Sequence, residues 1–443
     1  MQYSDFGTKL TAQSGILQLM DDLGKPLPEG VFACQLGGGN PARIPGVEAV
    51  YRREMERLLA EGDRFENAIA RYDAPQGRTG FIEAAAELLR REYGWDIGPE
   101  NIAITNGSQS AFFYLFNIIS GTCNINGIKT KKTVLFPLVP EYIGYADQGI
   151  EPGTFVTLPS RAEYYDDHTF KYFIDFGLLE TYLREHPEVG GICVSRPTNP
   201  TGNVLTDSEI HHLAQLAADY SIPLFVDNAY GLPFPDIIFP EAMARRGAPD
   251  GTDMAVSEVR ATPYWDPSVV LAMSLSKIGL PSLRTGIIIA DREIVRTLSA
   301  INSIVSLASG SLGQVLAEGL IRSGEILTLA ARHVRPFYYR KTLEAQRYIH
   351  EFFDRRDYLL HKSEGALFNW LLINDMTIST RELYEKLKER GVITVPGEYF
   401  FFGPGGAGHP HFDKCLRLNY ARPEQEIITG LHIIAEISGQ YRK

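Results

Sequence analysis

Short apolar runs recur along this chain: NIAIT, TVLFP, GICVS, PLFVD, VVLAMS and GIIIA. Most are rich in β-branched residues and close on a turn signal, as strands buried on both faces do. Helical patterns lie between them, including FIEAAAELLRREYGW from Phe81 and the thoroughly apolar QSAFFYLFNII. Strands alternating with helices predict an α/β fold, a mostly parallel sheet between helices. A helix apolar on nearly all sides is a buried one. After about Ile301 the pattern changes to long helical stretches, an alternating segment (ALFNWLLI), a helix (TRELYEKLKERG) and a closing strand (CLRLNYA). The expected organisation is a large α/β domain over 65–300 and a smaller α+β domain formed by 1–64 with 301–443.

The unusual polar residues follow the strands. Asn106, Gly107 and Ser108 come after IAIT, Tyr142 after LFP, Asn199 after ICVS, Asp227 and Tyr230 after LFV, and Ser274 and Lys277 after VLAM. Ligands of open parallel sheets bind at the carboxyl edge. Polar residues scattered at random over a surface would not return to one edge.

Lys277 stands in SLSKIGLPSLRTGIIIA, between two apolar strands. Desolvation there disfavours the cation and leaves an amine able to attack a carbonyl. Ser274, Ser276 and Arg284 beside it are donors suited to a phosphate monoester. An amine next to a phosphate site suggests a Schiff base with pyridoxal phosphate; the plainer alternative is a lysine at a strand end with its head in water. Asp227, in VDNAYG, ends an apolar strand and needs a partner, which a pyridinium N–H or an ordinary salt bridge would supply. Asn199 sits in SRPTNPTGN, a turn stiffened by two prolines. Ser108 and Gln109 open a helix, where free N–H groups serve a cap or an anion equally. Tyr142, in PEYIGYADQ, could stack on a planar ring or pack under a loop.

Taken together, SLSK with its following arginine, VDNAYG, RPTNPTGN and NGSQSAFFYLFN resemble the fold-type I pyridoxal-phosphate aminotransferases, and the resemblance covers nearly the whole chain. LGGGNPA, YDAPQG, FPLVPEYIGYAD and MSLSKIGLP draw it toward members that exchange amino groups between aliphatic amino acids, valine foremost, and pyruvate. The resemblance implies that Lys277 holds the cofactor and moves the substrate Cα proton, with Asp227 on the pyridine nitrogen. It implies Asn199 and Tyr230 on the ring hydroxyl and Tyr142 against the ring face. Ser108, Gln109, Ser274 and Arg284 would hold the phosphate. Tyr72 would reach the phosphate of a neighbouring subunit, which implies a homodimer with shared sites. Arg417 would grip the substrate carboxylate, with Gly39 and Asn40 lining the same end. The implied reaction is ping-pong, through pyridoxamine phosphate. Where many relatives carry a glycine before the arginine, this chain has Ser282.

A net charge of −11 argues against a nucleic-acid partner. Cys34, Cys123, Cys193 and Cys415 show no metal spacing and suit a reducing compartment. MQYSDFGTKL is no signal sequence and no apolar run approaches membrane-spanning length, so a cytoplasmic protein is expected. The partners expected are small amino acids and 2-oxo acids. KTKK, from Lys129, reads as a solvated loop. FFGPGGAGHPH, with His409 and His411, reads as a surface loop and a candidate flap over the pocket rather than a metal site. Two other readings remain at this stage: a lyase or an aminotransferase of different specificity on the same scaffold, and a non-enzymatic ligand-binding regulator, which would need a DNA-binding module that the first sixty residues do not suggest.

Overall fold

A computed structural model describes residues 1–25, 30–165, 167–243 and 260–443. Its centre is an eight-stranded sheet in the order Ile102–Asn106, Thr285–Ile289, Val269–Ser274, Leu224–Asp227, Val189–Ser195, Ile128–Phe136 and Gly121–Ile125, with Phe155–Thr157 also paired to Ile128–Phe136. Thr285–Ile289 runs antiparallel to both its neighbours, and Gly121–Ile125 is antiparallel to Ile128–Phe136. The remaining strands point one way. Val269–Ser274 and Thr285–Ile289 are buried along their whole length, because helices cover both faces. Helix Ser108–Ile119 is one of these, burying Ala111, Phe112, Tyr114, Leu115 and Phe116.

A second, six-stranded sheet has the order Val395–Pro396, Cys415–Asn419, Phe368–Ile373, Tyr358–His361, Thr169–Phe173 and Arg161–Tyr165. The hairpin Arg161–Phe173 falls within 65–300 in sequence but pairs here, Leu360 standing opposite Thr169. Its central Lys171 is buried and ion-paired to Glu364 at 2.5 Å, a long-range contact that local pattern does not announce. The 300/301 division falls inside helix Arg292–Val305.

KTKK is strand, not loop. Asn126 and Gly127 both take positive φ, 53° and 85°, and form a two-residue turn that pairs Ile125 with Ile128. The lysines stand on an outer hairpin, where charge discourages further strand pairing. No helix among the described residues is long and apolar enough to cross a membrane.

Candidate active site

A cavity of about 480 Å³ opens at the carboxyl edge of the large sheet. Ser108, Gln109, Tyr142, Asn199, Asp227, Tyr230, Ser274, Lys277, Arg284, Gly39, Asn40 and Arg417 all line it. Of the residues to which the resemblance assigns a place in the site, Tyr72 alone does not, and it is 83% exposed.

Lys277 follows Val269–Ser274 and reaches across the cavity to donate to the Gly39 carbonyl at 2.6 Å. Its Nζ lies 5.3 Å from the centre of the Tyr230 ring. Desolvation, aided by the Arg417 and Arg284 charges, lowers its pKa to about 8 against the pull of Asp227. The amine is therefore substantially neutral in weakly alkaline solution.

One end of the cavity is built for an anion. Arg284 donates from Nη1 to Ser276 Oγ at 3.4 Å and to the Pro281 carbonyl at 3.1 Å, and Ser274 Oγ donates to Ser276 Oγ at 3.0 Å. Gly107 precedes the helix Ser108–Ile119 with φ +83°, and a Cβ there would stand 2.2 Å from Arg284 Nη2. The missing side chain lets the guanidinium lie against a helix N-terminus. Arg284 itself takes φ +46°, so the turn carrying Ser282 ends in a left-handed residue.

At the strand ends, Asp227 is half-buried. Burial raises its pKa, while hydrogen bonds from the Tyr145 hydroxyl and the Ala229 N–H, together with the Lys277 charge, pull it down. Arg417 comes from Cys415–Asn419 of the second sheet and is 2% exposed. Its Nη1 donates to Asn199 Oδ1 at 2.8 Å and its Nη2 to the Gly37 carbonyl at 2.6 Å, while Nε has no partner. It stands over the Phe368 ring at 4.2 Å, and burial lowers its pKa to about 10. Asn419, two residues on, donates to the Gly38 carbonyl at 2.6 Å and so fixes the LGGGN segment. Asn199 accepts from Arg417 with its oxygen, which leaves its NH₂ group to donate elsewhere. The Tyr142 ring packs so closely over Gly144 that a Cβ there would meet it at 2.3 Å.

Several neighbours of the site escaped the sequence. Tyr145 bonds Asp227, and nothing in PEYIGYADQ marks its hydroxyl for a residue 82 positions away. Glu141 is buried beneath Tyr142, accepting from the Tyr142 N–H at 2.9 Å, the Ser195 N–H at 3.0 Å and the Ser195 hydroxyl. Desolvation raises its pKa to about 8. Helix Gly15–Gly24 also lines the cavity; its amphipathic spacing was the available signal.

None of the residues of the Gly-rich stretch 401–411 lines the cavity. Gly403 and Gly405 let the backbone pack onto Thr157, where Cβ atoms would meet it at 2.7 and 2.3 Å. His409 and His411 are buried, and burial lowers their pKa values to about 4 and 3. His411 Nδ1 pairs with the Tyr172 hydroxyl at 2.7 Å and Nε2 with the Tyr164 hydroxyl at 2.9 Å. Both histidines are neutral packing residues.

An electrophile at Lys277, an anion at Arg284 and a carboxylate at Arg417 can therefore be held together, which defines a fold-type I enzyme of amino-acid chemistry. The profile of the family described as aminotransferase class I and II matches residues 47–434. The valine–pyruvate aminotransferase of Escherichia coli K12 is 44% identical over 98% of this chain and 98% of its own. The crystal structure of the valine–pyruvate aminotransferase from Salmonella typhimurium LT2 superposes with TM-score 0.81 at 42% identity, covering 96% of this chain and 98% of that one. A Pyrococcus horikoshii kynurenine aminotransferase crystallised with PMP shares the fold, with TM-score 0.73 at 21% identity over 99% of this chain and 97% of that one. The chain belongs to the class I and II aminotransferases, and it is a transaminase.

Proposed function

We propose that this transaminase is a pyridoxal-phosphate enzyme that takes its amino group from an aliphatic amino acid, valine foremost, and passes it to pyruvate. The substrates rest on the likeness to the Escherichia coli and Salmonella enzymes. The observation that carries the chemistry is Lys277, an amine with its pKa lowered to about 8 and placed among Asp227, Arg284 and Arg417 on one cavity.

The residues fit the cofactor. Asp227 is a half-buried carboxylate whose pKa desolvation raises, so a pyridinium N–H would relieve it. The Gly107 cradle and the Arg284 guanidinium suit a phosphate dianion. When bound, pyridoxal phosphate supplies a carbonyl for amines and a ring that takes up the electron pair released at Cα.

Lys277 would hold the cofactor at rest and, once freed by the incoming amino acid, its Nζ would accept the substrate Cα proton. Asp227, kept ionised by Tyr145, holds the proton on the ring nitrogen. Asn199 Nδ2 and the Tyr230 hydroxyl donate to the ring hydroxyl oxygen, and Tyr142 covers the ring face. Ser108, Gln109, Ser274 and Arg284 hold the phosphate. Arg417 orients the substrate through its α-carboxylate, with Gly39 and Asn40 beside it. Tyr72, exposed and off its own cavity, serves the phosphate in the partner of a homodimer. The four free cysteines agree with a cytoplasmic setting.

The test is the absorption spectrum of the protein with pyridoxal phosphate, first with L-valine and then with pyruvate. The lysine-bound band should vanish with valine and return with pyruvate as alanine forms. A band that ignores valine would overturn the substrate. Absence of any band, with wild type and Lys277→Ala indistinguishable, would overturn the cofactor.

A further inference from the structure

We infer that helix Gly15–Gly24 is the side-chain selector of this site and admits an uncharged aliphatic side chain while rejecting a second carboxylate; the inference rests on Arg417 and Arg284 having the roles proposed above. Ile16, Leu19, Met20 and Leu23 line the same cavity as Lys277 and Arg417. Their spacing places them on one face of a single helix.

Polar contacts elsewhere on the helix hold that face in place. Asp22 Oδ2 accepts from the Tyr384 hydroxyl at 2.8 Å and from Lys388 Nζ at 3.3 Å. Gln18 Oε1 accepts from the Tyr399 hydroxyl at 2.7 Å. Gly15 fits only because it lacks a side chain, since a Cβ there would stand 2.6 Å from the Tyr399 ring. Leu19 packs against Gly37, the residue before the Gly38 and Gly39 carbonyls that receive Asn419 and Lys277. The helix is thus registered against the backbone that carries the reacting lysine's partner.

The charges complete the argument. Among the described residues of this chain, the cavity-lining cations are Lys277, Arg284 and Arg417. One engages the cofactor carbonyl carbon, one the phosphate and one the α-carboxylate. None remains for a second carboxylate, and an unpaired carboxylate against four aliphatic side chains is strongly disfavoured. Acidic amino acids and their 2-oxo acids are therefore poor substrates, and branched aliphatic ones gain from the wall.

The test uses holoenzyme and unreactive acids. Acetate probes Arg417 alone, 3-methylbutanoate adds the aliphatic branch and butanedioate adds a second carboxylate. Calorimetry should show 3-methylbutanoate binding at least about tenfold more tightly than acetate, and butanedioate no better than acetate. Met20 is 61% exposed, so Met20→Ala leaves no core void. In Met20→Ala and Ile16→Ala the preference for 3-methylbutanoate over acetate should shrink several-fold, and the ratio of kcat/KM for valine to that for alanine should fall with it. Met20→Arg should tighten butanedioate. Wild type that transaminates alanine but binds 3-methylbutanoate and acetate alike overturns the selector alone, as do unchanged ratios in both alanine variants. A protein in which no amino acid alters the cofactor spectrum overturns the transaminase assignment, and the selector with it.

Discussion

The Tyr145 hydroxyl, itself buried, donates a hydrogen bond to Oδ2 of Asp227 at the half-buried end of a central strand. Burial pushes the Asp227 pKa up, and this bond is the leading influence pulling it down. A hydrogen bond to a charged group contributes about 1.5–3 kcal/mol. Tyr145→Phe should therefore raise the Asp227 pKa. The carboxylate form is then lost at a higher pH as the solution is acidified. The acidic limb of the kcat profile should move upward accordingly, with KM for the amino acid little changed. An unmoved limb would mean that Tyr145 only packs.

Lys277 gives a second pH-dependent expectation. Its pKa is lowered to about 8, and only the neutral amine attacks a carbonyl. Loading of pyridoxal phosphate onto the cofactor-free protein should accelerate as pH rises through about 8, rather than through the 10.5 of an ordinary lysine. The same shift bears on stability. The folded protein binds this proton less readily than the unfolded chain does, so the penalty is fully present below about 8 and is relieved as pH rises toward 10.5. Cofactor-free Lys277→Met should be more stable than wild type at pH 7 by about 1–3 kcal/mol, allowing for the lost bond to Gly39. The gap should close by about pH 10. Denaturant titrations at several pH values measure it.

Much of this was legible from the strands. Short β-branched runs that end in turn signals read as strands covered by helices, so NIAIT, GICVS, PLFVD and VVLAMS give the sheet, and the residues after them meet at its carboxyl edge. Lys277, Asp227, Asn199 and Ser108 reach one cavity for that reason. Contacts between distant segments were not legible. Nothing around Lys171 in the sequence marks it for Glu364, 193 positions away. Tyr145 reads as a loop aromatic until the strand ending in Asp227 lies beside it. KTKK misled because charge was weighed above the Asn126-Gly127 turn. The packing of Gly403 and Gly405 on Thr157 was not legible, because glycines that permit tight packing have the same composition as glycines that permit motion.

Gly107 tests the anion end without touching a charge. Its φ of +83° disfavours any other residue, and a Cβ would collide with the Arg284 guanidinium. Gly107→Ala should weaken binding of pyridoxal phosphate at least about tenfold, given roughly 1–2 kcal/mol of backbone strain plus displacement of Arg284. Gly94→Ala is the control: φ is +68° there, but the Cβ points into open space. It should lower stability modestly and leave cofactor affinity alone. Fluorescence titration with the cofactor separates the two variants.

Tyr72 decides whether the sites are shared between subunits. It is exposed and off its own cavity, while Asn302 Nδ2 donates to the Pro75 carbonyl at 2.8 Å and ties its segment to a helix end that exposes Ile304 and Val305. Exposed apolar residues of this kind suit a subunit contact. Tyr72→Phe should weaken cofactor binding, and Lys277→Ala should abolish turnover. In hybrid dimers of the two variants, one site carries both defects and the other carries neither. If Tyr72 acts in the partner's site, refolding equal amounts together should return about a quarter of wild-type activity at a cofactor concentration too low to fill Tyr72→Phe sites, since half the dimers are hybrids and half their sites are intact. The regained sites should also hold cofactor with wild-type affinity. If Tyr72 acts within its own subunit, mixing restores nothing, because every Lys277-bearing site keeps its own phenylalanine.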